Sequence, residues 1–256
     1  MKYISIIILI FTGCATKNEN VYLKLPSLFS DGVILQRDTT ISIWGFSKPN
    51  SNININTSWG VTLKEKSDSL GNWKVLINSG KAGGPHEIEI NSVNEEIIIR
   101  DILFGEVWLA AGQSNMEMDF DYCCNTTDSS TYEINSANYP NIRMFNVKKN
   151  LSYDKINDLE GSWVSAEGDQ ITDFSAVGYF FAKNLHHNLK IPVGIIHASW
   201  GGSRTEAWAS HEVLSNIEEY HDSFNKLKFE SVQNAELRQF LNRYTSKPMP
   251  SSSWDL

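Results

Sequence analysis

GEVWLAAGQSNMEMDF, residues 105–120, starts as a strand and breaks at Gly112-Gln113-Ser114-Asn115. Residues 102–111 form a nearly continuous apolar run, the pattern of a strand buried on both faces, and such strands belong to parallel sheets. In open α/β sheets ligands bind at the carboxyl ends of the strands, and the break delivers Ser114 to that end. Gly112 permits a sharp turn that lets a following hydroxyl project into a cleft. On these residues alone, Ser114 would serve equally well as the cap of the next helix. The G-x-S-x-G elbow occurs nowhere in the chain.

Working outward, residues 141–147 (NIRMFNV) and 191–198 (IPVGIIHA) read as two further strands. Between them Val177, Phe181, Leu185 and Leu189, with Phe180 beside them, predict one apolar face of a helix. His186, His187 and Lys190 fall at its C-terminal end and Pro192 stops it. Strand, helix, strand is the unit of a parallel sheet. The third strand ends in His197-Ala198-Ser199-Trp200-Gly201-Gly202-Ser203, a second glycine-bearing tip whose N–H groups can approach a substrate oxygen. A flavodoxin-like order, with the 102–111 strand in the middle, would bring Ser114 and Gly201 to one crevice.

Upstream the period is different. From 21 to 100, GVILQR, TTISIWGF, SNININ, GVTLKE, NWKVLI, HEIEI and EEIIIR predict six or seven short strands, a β-sandwich-like module. Leu70-Gly71-Asn72 and Gly83-Gly84-Pro85 read as its turns. Trp44, Trp59 and Trp73 are read as packing residues ahead of a sugar-stacking role, because indoles bury a large area. The predicted organisation is therefore a leader over 1–20, the β-module over 21–100 and an α/β domain over 101–256. From about 211 a helical insertion is expected, on the stripes Val213, Ile217, Tyr220, Phe224, Leu227 and Leu237, Phe240, Leu241, Tyr244.

A net charge of −8 offers no basic face for a phosphate backbone, so nucleic acid is not an expected partner. Met1 and Lys2, an apolar stretch too short to span a bilayer, and then small residues predict export. Phe11-Thr12-Gly13-Cys14 is similar to a bacterial lipobox, with Cys14 as the lipidated residue; Phe11 departs from the usual aliphatic residue there, and a plain secretory signal is the alternative. A periplasmic or cell-envelope protein, touching the membrane through its lipid, is expected. Cys123 and Cys124 are adjacent, which suits neither an ordinary disulfide nor a common metal site.

Together, GEVWLAAGQSNMEM and IPVGIIHASWGGSRTEAW resemble the bacterial sialate O-acetylesterase family, within the SGNH hydrolases, and the LPSLFSDGVILQR opening of the β-module is also similar. The likeness covers roughly residues 23–210. It implies an SGNH hydrolase domain, an incomplete three-layer α/β/α fold, behind the β-module. It implies Ser114 as nucleophile, Gly201 as an oxyanion-hole glycine with Gly202 beside it, and an acetylated sugar or glycan as substrate. No metal or organic cofactor enters that scheme. An acetylated plant polysaccharide such as xylan is an alternative to sialic acid. Glu206 and Trp208 are candidates to line the pocket, or else start a packed helix.

The family's later blocks, of Gln-Gly-Glu-Ser-Asn and Asp-x-x-His type, do not occur here, so the general base is missing. His86 belongs to the β-module, His186 and His187 to a helix end, and His211 and His221 to the helical insertion; His197 lies within a strand and is expected to be packed. The sequence is accordingly read as the N-terminal portion of a longer esterase with half of its active site present. A noncatalytic glycan-binding lipoprotein is the alternative.

Overall fold

The computed structural model describes residues 22–123, 128–150 and 156–218. The leader with Cys14, Cys124, His221 and the helical stripes beyond 218 lie outside the described residues.

Seven strands follow one another without a helix: β1 (Ile34–Gln36), β2 (Thr40–Phe46), β3 (Asn52–Thr57), β4 (Thr62–Lys66), β5 (Asn72–Asn78), β6 (Gly83–Ser92) and β7 (Glu95–Gly112). β2 and β5 pair as one antiparallel layer, and β4-β3-β6-β7 form the other. Alternation puts Ile53 and Ile55 of β3 and Trp73, Val75 and Ile77 of β5 into a shared core with Ile43, Ile88, Ile90 and Phe104. Trp73 is buried; Trp44 packs edge-on against Phe29 and Trp59 edge-on against Phe104. The tryptophans are packing residues. Gly83-Gly84-Pro85 is no turn: it opens β6, where the register with β7 shifts.

The expected boundary at 100/101 falls inside β7, one 18-residue strand shared by both parts. Its first half pairs with β6 and its second half with a later parallel strand. The strand bends at Asp101, where φ is +56°. Arg143, buried, fastens the bend: its guanidinium donates to the Gly32 and Asp101 carbonyls at 2.7 Å each and pairs with the Asp101 carboxylate at 2.9 Å.

Beyond β7 come α1 (Ser114–Glu117), α2 (Phe120–Cys123), α3 (Asp128–Ser136), β8 (Asn138–Asn146), β9 (Trp163–Glu167), α4 (Ala176–Leu189), β10 (Val193–Ser199) and α5 (His211–Ser215). The architecture is α/β, preceded by the β-module. The strand order is β7-β10-β8-β9, with β9 antiparallel at the edge. This corrects the expected flavodoxin-like order: β10, not β7, is the middle of the three parallel strands. Two glycines allow it. A Cβ on Gly105 would lie 2.1 Å from the Pro192 carbonyl oxygen, and one on Gly194 would lie 3.0 Å from Ile34 Cβ, so β10 can dock directly on β7 and β1.

Helix α4 forms as predicted, capped by Ser175, whose hydroxyl accepts from the Gly178 amide, and ended by left-handed Lys190. Its buried face is different from the predicted one. Tyr179 and Ala182 face the core with Leu185 partly covered, while Val177, Phe180, Phe181 and Leu189 are exposed. Phe181 meets exposed Trp108 edge-on across the helix–strand gap. On the side of β7 opposite β10, β1 covers residues 103–105, and the Val107 amide donates to Gln36 Oε1. Among the described residues no strand pairs with that side of β7 from there to Gly112.

Candidate active site

Gly112 closes β7 with φ +150°, a conformation that suits glycine, and Gln113 turns the chain into the four-residue helix α1, on whose first position Ser114 sits half-buried. The Gln113 carbonyl accepts from the Met116 and Glu117 amides at 2.9 and 3.0 Å, so α1 holds by its backbone. Ser114 is inside α1, not its cap residue, and its hydroxyl has only a 3.5 Å contact to Gln113 Oε1 among the described residues. This disposes of the helix-capping alternative.

β10 runs beside β7 in parallel register, Ser199 opposite Gly112, and the Trp200 amide donates to the Gly112 carbonyl at 2.9 Å. The chain then reverses in a turn closed by Ser203 N–H to the Trp200 carbonyl at 3.2 Å, with Gly202 at φ +75°, as its third position requires. Gly202 is exposed, and a Cβ there would meet nothing within 4 Å. Gly201 faces inward: a Cβ on it would stand 3.6 Å from both Cα and Cβ of Ser114. Ser114 and Gly201 thus meet at adjacent strand tips. The strand order differs from expectation, but the juxtaposition does not depend on it.

The Gly201 amide is not vacant. It donates to Glu117 Oε2, and Lys149 pairs with Oε1 of the same carboxylate. Lys149 also lies 5.7 Å from the centre of the Trp200 ring, so that α1, the segment after β8 and the Gly201 turn are joined through one side chain. Glu117 and Lys149 escaped the sequence reading. The available signal for Glu117 was its place one helical turn after Ser114, where i and i+3 share a face.

No histidine hydrogen-bonds Ser114 among the described residues. His197 is half-buried, with Nδ1 3.0 Å from Asn146 Oδ1 and Nε2 2.5 Å from Ser199 Oγ. Burial holds its imidazole below the ordinary value, opposed by a Met116 backbone hydrogen bond and the charge of Glu117, and reinforced by Lys149. Its partner is Ser199, at the buried end of β10, and not Ser114. His86 packs with Trp59 and Phe104, and His186 Nδ1 lies 2.7 Å from the Ile191 carbonyl at the end of α4.

A cavity of about 410 Å³ opens beside the tips, with Ser199, Trp200, Lys148, Lys149 and Trp208 in its wall. Lys148 pairs with Glu160 at 2.6 Å, so both wall lysines are matched by carboxylates. Trp208 belongs to a short 3-10 turn, Thr205–Trp208, and donates to Ser203 Oγ at 2.8 Å. Glu206 is on the same turn but not in the wall.

The family model "Carbohydrate esterase, sialic acid-specific acetylesterase" matches residues 105–241, more than half of the chain, and takes in both tips. The chain belongs to this family. Its match to the sialate O-acetylesterase of Mus musculus is 28% identical over 229 residues, 81% of this chain and 41% of that protein. The Homo sapiens sialate O-acetylesterase is 28% identical over 221 residues, 78% of this chain and 41% of that protein. The crystal structure of a carbohydrate acetylesterase from Xanthomonas citri superposes with a TM-score of 0.71 at 37% identity, covering 75% of this chain and 43% of that one. The chain thus spans about two fifths of the length of these sialate O-acetylesterase and acetylesterase relatives.

Proposed function

We propose that this chain is the N-terminal part of a serine carbohydrate acetylesterase that removes acetyl groups from sugar hydroxyls, with O-acetylated sialic acid as the substrate. The observation that carries the reading is the meeting of Ser114 with the Gly201 turn at two joined parallel strand tips. Ser114 Oγ would attack the acetyl carbonyl carbon while a base takes its proton. The resulting oxyanion needs donors about 3 Å away, a need the Gly201 amide is placed to meet, with Gly202 a lesser contributor. Collapse expels the sugar oxygen, which takes the proton back; water then cleaves the acetyl-serine and acetate leaves.

The base is assigned to polypeptide beyond this sequence. The reading is supported by the missing Asp-x-x-His and, among the described residues, by a Ser114 hydroxyl without a histidine and an outer side of β7 that no strand pairs beyond Gly105, where further strands could add. The 256-residue chain alone should then hydrolyse p-nitrophenyl acetate poorly. The complete reading frame that contains it should release acetate from 9-O-acetylated sialic acid and lose about 10³-fold or more on Ser114→Ala. Turnover unaffected by that change would refute Ser114 as nucleophile. Glycan binding without any acetate release would instead favour the noncatalytic glycan-binding lipoprotein.

Matched lysines in the cavity wall favour a second substrate reading, an uncharged acetylated polysaccharide such as xylan. Parallel assays on acetylated xylan and on the sialic acid ester decide between them. Export and lipid attachment at Cys14 complete the proposal. Fractionation of the producing cells should place the protein in the membrane fraction, and recovery only in the soluble fraction would speak against the anchor.

A further inference from the structure

Glu117 has no part in the mechanism above, yet its carboxylate occupies the backbone donor that the mechanism needs. Oε2 accepts from the Gly201 amide, Oε1 accepts from Lys149, and the Cα and Cβ of Ser114 are 3.6 Å from where a Gly201 Cβ would be. A carboxylate oxygen resting on a backbone amide beside a serine occupies the place that a carbonyl oxygen, an oxyanion or a free acetate would take. The contact holds the terminus of a flexible side chain, and a terminus can move while α1 stays folded through its backbone bonds to Gln113. Lys149, paired with Oε1, keeps that terminus close by.

We propose that the Gly201 amide is an exchangeable anion site, filled in the resting protein by the Glu117 carboxylate and taken over by the acyl oxygen or by a small carboxylate when that side chain swings aside. Glu117 then acts as an internal competitor, and anything that enters must displace it. The proposal rests on the esterase reading only for the identity of the natural displacing group.

Among the described residues, the titratable groups facing Glu117 are Lys149, from the segment after β8, and His197, from β10. The test is the Gly201 amide resonance in ¹⁵N-labelled full chain, with sodium acetate as the probe. In the wild type the amide proton should be strongly downfield, should move upfield as acid protonates Glu117, and should ignore acetate at neutral pH. In Glu117→Ala it should start upfield and return downfield saturably with acetate, an affinity gain of about tenfold or more, which corresponds to about 1.4 kcal/mol. Glu117→Gln, which keeps a neutral acceptor and the side-chain volume, should abolish the acid response and serves if the alanine variant does not fold.

An amide unmoved by Glu117→Ala, acetate shifts alike in wild type and variant, or an acid response surviving in Glu117→Gln and therefore belonging to His197, each overturns the proposal. Ester hydrolysis by the complete protein with Ser114 intact separates the two readings. Acetate exchange in Glu117→Ala, with no acetate released from esters by that complete protein, sustains the anion site and removes the esterase. Ester hydrolysis without exchange does the reverse.

Discussion

Gly105 and Gly201 each stand against a close neighbour, and the neighbours differ in what they can give. An added Cβ at Gly105 meets a backbone oxygen of Pro192 at 2.1 Å; at Gly201 it meets the carboxylate tip of Glu117 at 2.8 Å. Backbone in a packed strand pair cannot retreat, whereas a side-chain tip can rotate. Gly105→Ala should therefore cost about 3 kcal/mol or more, and Gly201→Ala about 1 kcal/mol or less, in urea unfolding midpoints converted to free energy. Equal costs would mean that Glu117 is held as rigidly as the Pro192 backbone. At this scale the serine and the glycines were legible because a strand that breaks into Gly-Gln-Ser or Trp-Gly-Gly announces a tip. Glu117 and Lys149 were not, since the bond from a carboxylate to a distant amide leaves no periodic trace. His197 was read as packed, and it is half-buried against Asn146 and Ser199.

Helix α3 is joined to α4 by a small polar cluster: Tyr179 donates to Glu133 Oε1 at 2.6 Å and Lys183 pairs with the same oxygen. Burial would raise the Glu133 carboxyl, but the hydrogen bonds from Lys183 and Tyr179 and the charge of Lys183 overcome it and hold the group below its ordinary value. A depressed carboxylate means that the unfolded chain binds the proton more readily. Its stabilisation is therefore complete above the ordinary glutamate range, near pH 4.5, and drains away as pH falls through the lower native value. Glu133→Gln should cost about 1–2 kcal/mol at pH 7 and flatten the loss of stability between pH 5 and 3, measured by denaturant unfolding at each pH. An unchanged acid slope would place the sensitivity elsewhere. The existence of α4 was plain from its spacing; its orientation was not. Val177, Phe180 and Phe181 continue an apolar surface past the sheet-facing side toward Trp108, and a one-dimensional count cannot tell the covered flank from the bare one.

For the molecule as a whole, β7 is the member on which everything else is hung. The hydrophobic period of the sequence changes at residue 100, and that change marks a border. The backbone nonetheless runs on, since a strand can exchange one set of partners for another without ending. Arg143 holds the crossing, with its guanidinium on carbonyls from both sides. Arg143→Met should leave the Gly32 and Asp101 carbonyls without their donor and cost about 3 kcal/mol. The unfolding curve should also split into two transitions, followed separately by tryptophan fluorescence and by far-ultraviolet circular dichroism. A variant that still unfolds in one coincident step would show that β7 alone couples the halves. The same continuity has a mechanical side. The backbone amides of Tyr22 and Leu23 are held by the carboxylate of Glu95, where β7 begins, while Gly112 and the serine lie at its opposite end. A pull applied through the N-terminus would load that first carboxylate clasp and strain the sandwich before any tension reached the strand tips at Gly112 and Ser199, so the far corner would keep its shape while the near end was tugged.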